Sequence, residues 1–205
     1  MGLRLHPHPP IRRGRRAAGE RGASLVELAF VCLFIITILA GTYDFGQGWR
    51  AGLATNEASR TAARTSSAMG KKWYADWYGL SGAKAALANS GMLNYVERVV
   101  IYKSTAANGS VPTACTTATS TTELCNIITG AQFRAMTQSN FNTTTGCMTT
   151  ASVKNWCPSS RSNVQLTADY YGIWINVQVP KMFKFLGQKT SVSRETVMRL
   201  EPTEQ

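Results

Sequence analysis

From Ala23 to Tyr43 the chain carries one charged residue, Glu27, and no proline. Leu28 to Tyr43 is an uncharged run of 16 residues dominated by Leu, Ile, Val and Phe. With Ala23 to Val26 it approaches the ~20 residues that cross a bilayer as a helix. Residues 23–43 are therefore expected to form a transmembrane helix with a carboxylate one turn inside its end. A charge in such a helix costs about 2.5–3.5 kcal/mol at the centre and less near an end. Either Glu27 snorkels to the interface or it has a task.

The residues before the span fix its direction. Residues 1–22 are rich in Arg, Pro and Gly, with both histidines (His6, His8) in a Pro context. They read as a disordered cytoplasmic arm, and two His without further ligands do not make a metal site. Arginines 4, 12, 13, 15, 16 and 21 lie on this side, which sets the N-terminus in and the rest of the chain out. An ordinary secretory signal fits less well. Its apolar region runs ~7–15 residues, and this one is longer and contains Glu27. The net charge of +11 invites a nucleic-acid reading. Six Arg against Glu20 place +5 of it in the arm, and the other 16 basic and 10 acidic residues form no run longer than Lys71-Lys72. No nucleic-acid partner is expected.

Past the span, residues 44–67 read as the helix continuing into water. Gly48 and Gly52 are four apart, as are Ala54, Ala58 and Ala62, so each set lines one face and permits close approach of another element. Such a spine suits packing against like spines in a filament or against the chain's own domain. Gly41, Gly46, Gly48 and Gly52 predict a bend or a melted turn. Trp73, Trp77, Tyr74 and Tyr78 form an aromatic cluster, which could pin the segment to a sheet or contact a surface ligand. Ser81 to Ala88 reads as a short Ala-rich helix ended by Asn89-Ser90-Gly91.

Three segments read as strands. Tyr95 to Lys103 is rich in β-branched and aromatic residues. Ile173, Ile175, Val177 and Val179 alternate with Trp174, Asn176 and Gln178. Thr190 to Leu200 follows a short apolar excursion, Met182 to Leu186, and a turn at Gly187. Local connections make the sheet antiparallel. Residues 105–165 between them are Thr/Ser/Asn-rich with little periodicity, a composition usually found in disordered chain. Yet they hold Cys115, Cys125, Cys147 and Cys157. Outside the membrane an even cysteine count reads as disulfides. The equal ten-residue spacings favour Cys115–Cys125 and Cys147–Cys157 among three pairings. A four-Cys zinc site lacks the C-x-x-C spacing. Cys32, in the span, is expected to be an inert packing residue. The fold class is α+β: a long N-terminal transmembrane helix continuing into an extracytoplasmic domain with a small antiparallel sheet. The boundaries are residues 1–22 (leader), 23–43 (span) and 44–205 (extracytoplasmic domain). Within the last, 44–67 is the spine, 95–104 and 170–202 the sheet, and 105–165 a Cys-loop insertion.

Gly22, a neutral step to Glu27 and an apolar run behind an Arg-rich leader resemble the class III signal of type IV pilin-like proteins. Arg21-Gly22-Ala23-Ser24-Leu25-Val26-Glu27, then Tyr43-Asp44-Phe45-Gly46, then Ala58-Ser59-Arg60-Thr61-Ala62-Ala63-Arg64 resemble the TadE-like family. Its members are minor pilins or pseudopilins of the tight-adherence (Tad/Flp) pilus and secretion system. Val197 to Pro202 resembles the Arg-x-Glu ending common among them. The likeness covers roughly residues 20–66 and, more loosely, 95–104 and 170–202, while 105–165 resemble nothing known to us. The resemblance implies cleavage by a prepilin peptidase between Gly22 and Ala23. It also implies a Glu27 that neutralises the new terminal amine, of the same or a neighbouring subunit, inside an apolar bundle. The partners implied are that peptidase, other pilins and the bilayer of the bacterial cytoplasmic membrane, with the pilus or cell surface as a later location. No cofactor and no metal is implied.

Two other function classes remain beside the minor pilin. A membrane-anchored adhesive module would present the Cys-loop region, with the aromatics as contacts. A tethered enzyme is disfavoured: no His follows residue 8, no Ser lies in Gly-x-Ser-x-Gly, and the extracellular acids (Asp76, Glu97, Glu123, Asp169, Glu195, Glu201, Glu204) show no paired spacing. Asp44-Phe45-Gly46 also spells a kinase magnesium motif, but no nucleotide loop, strand Lys or catalytic loop precedes it.

Overall fold

The computed structural model describes residues 18–182 and 187–202, with backbone alone for 18–21. The chain divides into two compact units between Gly41 and Thr42. One helix, α1 (Ala18–Met69), contributes to both. It starts before Gly22, so residues 18–22 are helical rather than part of a loose arm. The rest of that arm, with its two histidines, lies outside the described residues, as does the apolar excursion beyond Met182. The backbone is also helical at Gly41, Gly46, Gly48 and Gly52, where the sequence predicts a bend or melted turn. Each glycine costs a helix about 1 kcal/mol relative to Ala. At Gly48 and Gly52 a Cβ would meet side chains of the sheet at ordinary contact distance.

In the first unit α1 is apolar all round. Leu25, Leu28, Phe30, Leu33, Phe34 and Leu39 are each more than half exposed. A helix of this kind is buried in a large core or in a membrane. The Gly22–Met69 stretch of α1 is long and apolar enough to cross one.

The second unit is a five-stranded antiparallel sheet with its two long helices on one face. Its strands are β1 (Val96–Ser104), β2 (Cys125–Thr129), β3 (Val153–Lys154), β4 (Tyr170–Pro180) and β5 (Lys189–Arg199), in the order β3-β2-β1-β4-β5. The long β4–β5 hairpin pairs Tyr170 with Arg199 and Pro180 with Lys189. Three of the strands, β1, β4 and β5, are those expected from the sequence. The other two come from residues 105–165, which are not an appendage to the sheet but extend it. The same segment carries helices α3 (Thr113–Thr117) and α4 (Gly130–Ala135). Thr129 and Gln132 form a reciprocal capping box that starts α4 straight out of β2.

Helix α2 (Ala75–Asn89) begins six residues before the Ala-rich stretch that announces it, and so includes Trp77 and Tyr78. Leu80, Ala83 and Leu87 give its buried stripe. It meets α1 at Gly79, where an added Cβ would stand 2.9 Å from the Ala62 carbonyl. Only a residue without a side chain allows the two backbones so close. Gly91, at φ +73°, turns the chain out of α2.

Period two explains the two cores. Val99 and Ile101 of β1 join Ile173, Ile175 and Val177 of β4 against Ala51, Ala54, Ala58, Ala62 and Ala63 of α1. Val100 and Tyr102 point the other way, into a smaller cluster with Cys115, Cys125, Ile127 and Val153. Gly172 lets the Tyr102 ring lie across β4, in the space a Cβ would take.

Candidate functional site

Gly22, Ala23 and Glu27 all lie on α1 and are exposed, and nothing stands within 4 Å of a Cβ built at Gly22. Ala23 and Glu27 are four apart, so they share a face one turn from each other. The Glu27 carboxylate therefore sits on the side of the helix that holds Ala23. The rest of the span is chemically quiet. Thr37 donates its hydroxyl to the Leu33 carbonyl at 2.8 Å, which satisfies it without a neighbour. Cys32 is free and exposed on α1 among the apolar side chains.

The cysteines of the polar segment form Cys115–Cys125 and Cys147–Cys157, the pairs favoured by their spacing, with Cα atoms 6.4 and 4.9 Å apart. The first ties α3 to β2. The second closes the loop before residue 158, and Asn126 holds the same loop from the sheet. Asn126 Nδ2 donates to the Trp156 carbonyl at 2.8 Å, and Trp156 N–H donates to Asn126 Oδ1 at 3.0 Å. Phe141, Met148, Ala151 and Trp156 from this segment are buried in the main core. The polar composition thus conceals a folded element whose few apolar residues point inward.

An ion pair lies inside the main core. Arg161 Nη2 donates to Asp76 Oδ2 at 2.7 Å, with both side chains essentially without solvent. The guanidinium stacks over Trp156 and Tyr171, 4.5 and 5.0 Å from the ring centroids. Charge left in a low-dielectric interior must be paired, and the two aromatic faces add cation–π attraction. Burial, and next the Asp76 charge, push the Tyr171 phenol far above its ordinary range, with Arg161 opposing them. The pair joins α2 to the chain that leads into β4. In the sequence Asp76 is no more than an acid without a close partner. Arg161 carries no signal there at all, because its partner is 85 residues away.

A groove runs between α1 and β5. Asp44, Phe45, Gly48, Trp49, Gly52, Leu53 and Asn56 line one wall, and Lys181 with Thr190 to Arg194 the other, around a volume of about 790 Å³. Cβ atoms at Gly48 and Gly52 would meet the opposite wall at ordinary contact distance, 3.8 Å from Thr190 and 3.5 Å from Arg194. Farther along, Ser59 and Thr196 hydroxyls meet at 2.9 Å. Asp44 Oδ1 accepts the Met182 N–H at 2.8 Å and so fastens the hairpin end to α1. Phe45, Trp49 and Leu53, spaced by four, are 74%, 65% and 58% exposed along the helix wall.

With that geometry in place, a family model described as TadE-like protein matches residues 22–64. The chain carries a TadE-like segment. It begins at Gly22, contains Ala23, Glu27 and the helix wall of the groove, and ends in the Ala-rich stripe of α1. No curated protein and no solved structure matches the chain. The TadE-like family is a structural, pilus-associated one. One candidate span near the N-terminus supports a single-pass membrane protein.

The structure separates the residues that the sequence brings forward. The stripe of Ala54, Ala58 and Ala62 packs on the chain's own sheet rather than remaining open. Trp73 and Trp77 pack against the same core, Trp77 edge-on to Phe141 at 5.7 Å, while Tyr78 stays 46% exposed. Among the described residues no three His, Cys, Asp or Glu converge as metal ligands.

Proposed function

We propose that the chain is a minor pilin of a Tad/Flp-type pilus or secretion apparatus, structural rather than catalytic. It is made as a precursor, cut by a prepilin peptidase between Gly22 and Ala23, and held by residues 23–43 in the cytoplasmic membrane with the C-terminal unit outside. Glu27 then neutralises the new Ala23 amine of its own or a neighbouring subunit as spans gather in an apolar bundle. The observation that carries this reading is the TadE-like match, which begins at Gly22. Two features support it. Ala23 and Glu27 share a helix face, and the span's large apolar side chains have no cover from their own unit.

N-terminal mass spectrometry of the protein extracted from membranes of its own cell tests the proposal. A mature terminus at Ala23 is expected, and Gly22→Ala should leave the precursor uncut. Glu27→Ala should be cut normally but enter pili poorly. An intact Met1 in the wild type would reduce residues 1–43 to a plain signal anchor and refute the pilin reading.

A further inference from the structure

We propose that the buried Asp76–Arg161 pair holds an internal water that bridges the two side chains. The inference is independent of membrane insertion and of assembly into a pilus. Four polar atoms of this cluster are buried without a hydrogen-bond partner among the described residues: Asp76 Oδ1, Arg161 Nε, Arg161 Nη1 and the Tyr171 hydroxyl. The neighbouring polar atoms are already engaged. Arg161 Nη2 donates to Asp76 Oδ2 at 2.7 Å and to the Trp156 carbonyl at 3.4 Å. Ser66, beside the Tyr171 phenol, donates its one proton to the Ala75 carbonyl at 3.2 Å.

The shape of the guanidinium places the bridge. Its N–H bonds lie in one plane as a rigid fork. One Nη2 hydrogen runs alongside Nε–H, and the other alongside a hydrogen of Nη1. Whichever side Asp76 takes, the N–H next to that bond is unpartnered, and so is the second carboxylate oxygen. The usual Arg–carboxylate fork would satisfy both with a second parallel bond. Here a charged donor and a charged acceptor are left unmet on the same contact. Trp156 and Tyr171 stack over the guanidinium at 4.5 and 5.0 Å, so a polar partner has to approach in its plane.

The unmet atoms also select the occupant, which must accept from a cationic N–H and donate to a carboxylate. A metal cation would face Arg161, an anion would face Asp76, and either would bury net charge. Water does both tasks without charge, and internal waters typically make ~3 hydrogen bonds to buried groups of this kind. Immobilising one water costs less than stranding a charged donor and acceptor away from solvent. The site lies where α2 meets the chain leading into β4, so its water exchanges with bulk only when that junction opens.

The test uses the full chain in detergent micelles. Arg161 is identified in the arginine side-chain nitrogen–proton spectrum by its loss in Arg161→Lys. In a rotating-frame Overhauser experiment, a cross-peak is expected between the water line and the Arg161 Nε–H or Nη1–H. Its sign should be opposite to the diagonal, which marks a water proton in direct contact and not hydrogen exchange. Tyr171→Phe should keep the peak, because the carboxylate and the guanidinium hold the water. Loss of the peak in a folded Tyr171→Phe variant would mean that the phenol proton relays it, and would overturn the bridge. Visible Arg161 protons with no such peak, or with an exchange peak alone, would overturn it as well. A scalar coupling between a second Arg161 nitrogen and the Asp76 carboxyl carbon would replace the water with a direct fork.

Discussion

The two parts of α1 solve opposite problems with one backbone. Before Gly41 the helix shows Leu, Ile and Phe on every side, with none of these large side chains covered within its unit. After Thr42 it buries Ala51, Ala58, Ala62 and Ala63 completely and leaves Phe45, Trp49 and Leu53 outside. In the first part stabilisation has to come from outside the unit, so bulk apolar area is what counts. In the second it comes from close approach to a sheet, so small residues are what count. A helix can therefore carry its largest side chains on exposed surface and its smallest in the core, and residue size alone misleads about burial. Which solvent surrounds each part decides.

Four substitutions or pairs of them would break this contrast between the halves or sharpen it. The largest effect belongs to the buried charge that the C-terminal unit tolerates only because it is paired. Asp76→Ala strands Arg161 and should cost about 3–5 kcal/mol in denaturant unfolding of the detergent-solubilised chain. Asp76→Leu combined with Arg161→Met should recover most of it. A single-variant loss below ~1 kcal/mol would mean that water reaches the pair and relieves the stranded charge. In the span the same kind of charge meets lipid instead. Leu33→Arg should cost about 2.5–3.5 kcal/mol of insertion, read as protein lost from the carbonate-resistant membrane fraction, with C-terminal unfolding unchanged.

Size comes next. Ala58→Leu should destabilise the C-terminal unit by about 1–3 kcal/mol through overpacking against β4, whereas Leu33→Ala should leave that unit's midpoint where it was. Equal shifts for the two would erase the distinction between the halves. The smallest contrast lies in two hydroxyls. Ser59→Ala breaks the contact to Thr196 and should cost about 0.5–1.5 kcal/mol in urea titration. Thr37→Ala loses only a bond to its own helix and should shift insertion by no more than a few tenths of a kcal/mol.

What the sequence discloses follows the same physics. The apolar helix and strand β4 are legible because each has a length or period that one solvent imposes, and β1 is legible from its β-branched and aromatic content. Strand β2 is not. Ile127 and Ile128 are adjacent and buried on opposite faces, so Cys125 to Thr129 shows no alternation, and it sits in a Thr/Ser-rich background. Strand β3 is two residues long. The start of α2 is hidden because Trp77 and Tyr78 show no helical phase until Leu80 sets the stripe. The cystine pairs can be favoured from spacing alone, since each bridges neighbours in the chain. The Arg161–Asp76 pair and the groove cannot, because both depend on contacts between distant parts of the sequence.

The hydroxyl contact between α1 and β5 also sets a schedule. Ser59 meets Thr196 across a sequence separation of 137. At ~5–20 residues per second, synthesis of that interval takes roughly 7 to 27 s. Throughout it the Ala face of α1 lacks the last strand that lies along it. A ribosome feeding this chain into a membrane must thus deliver the anchor well before the piece that completes its neighbour. Early emerging protein is an unfinished sheet with an uncovered flank. Any chaperone that attends this chain would have to act during that wait, and would be released when Lys189 to Arg199 closes the seam.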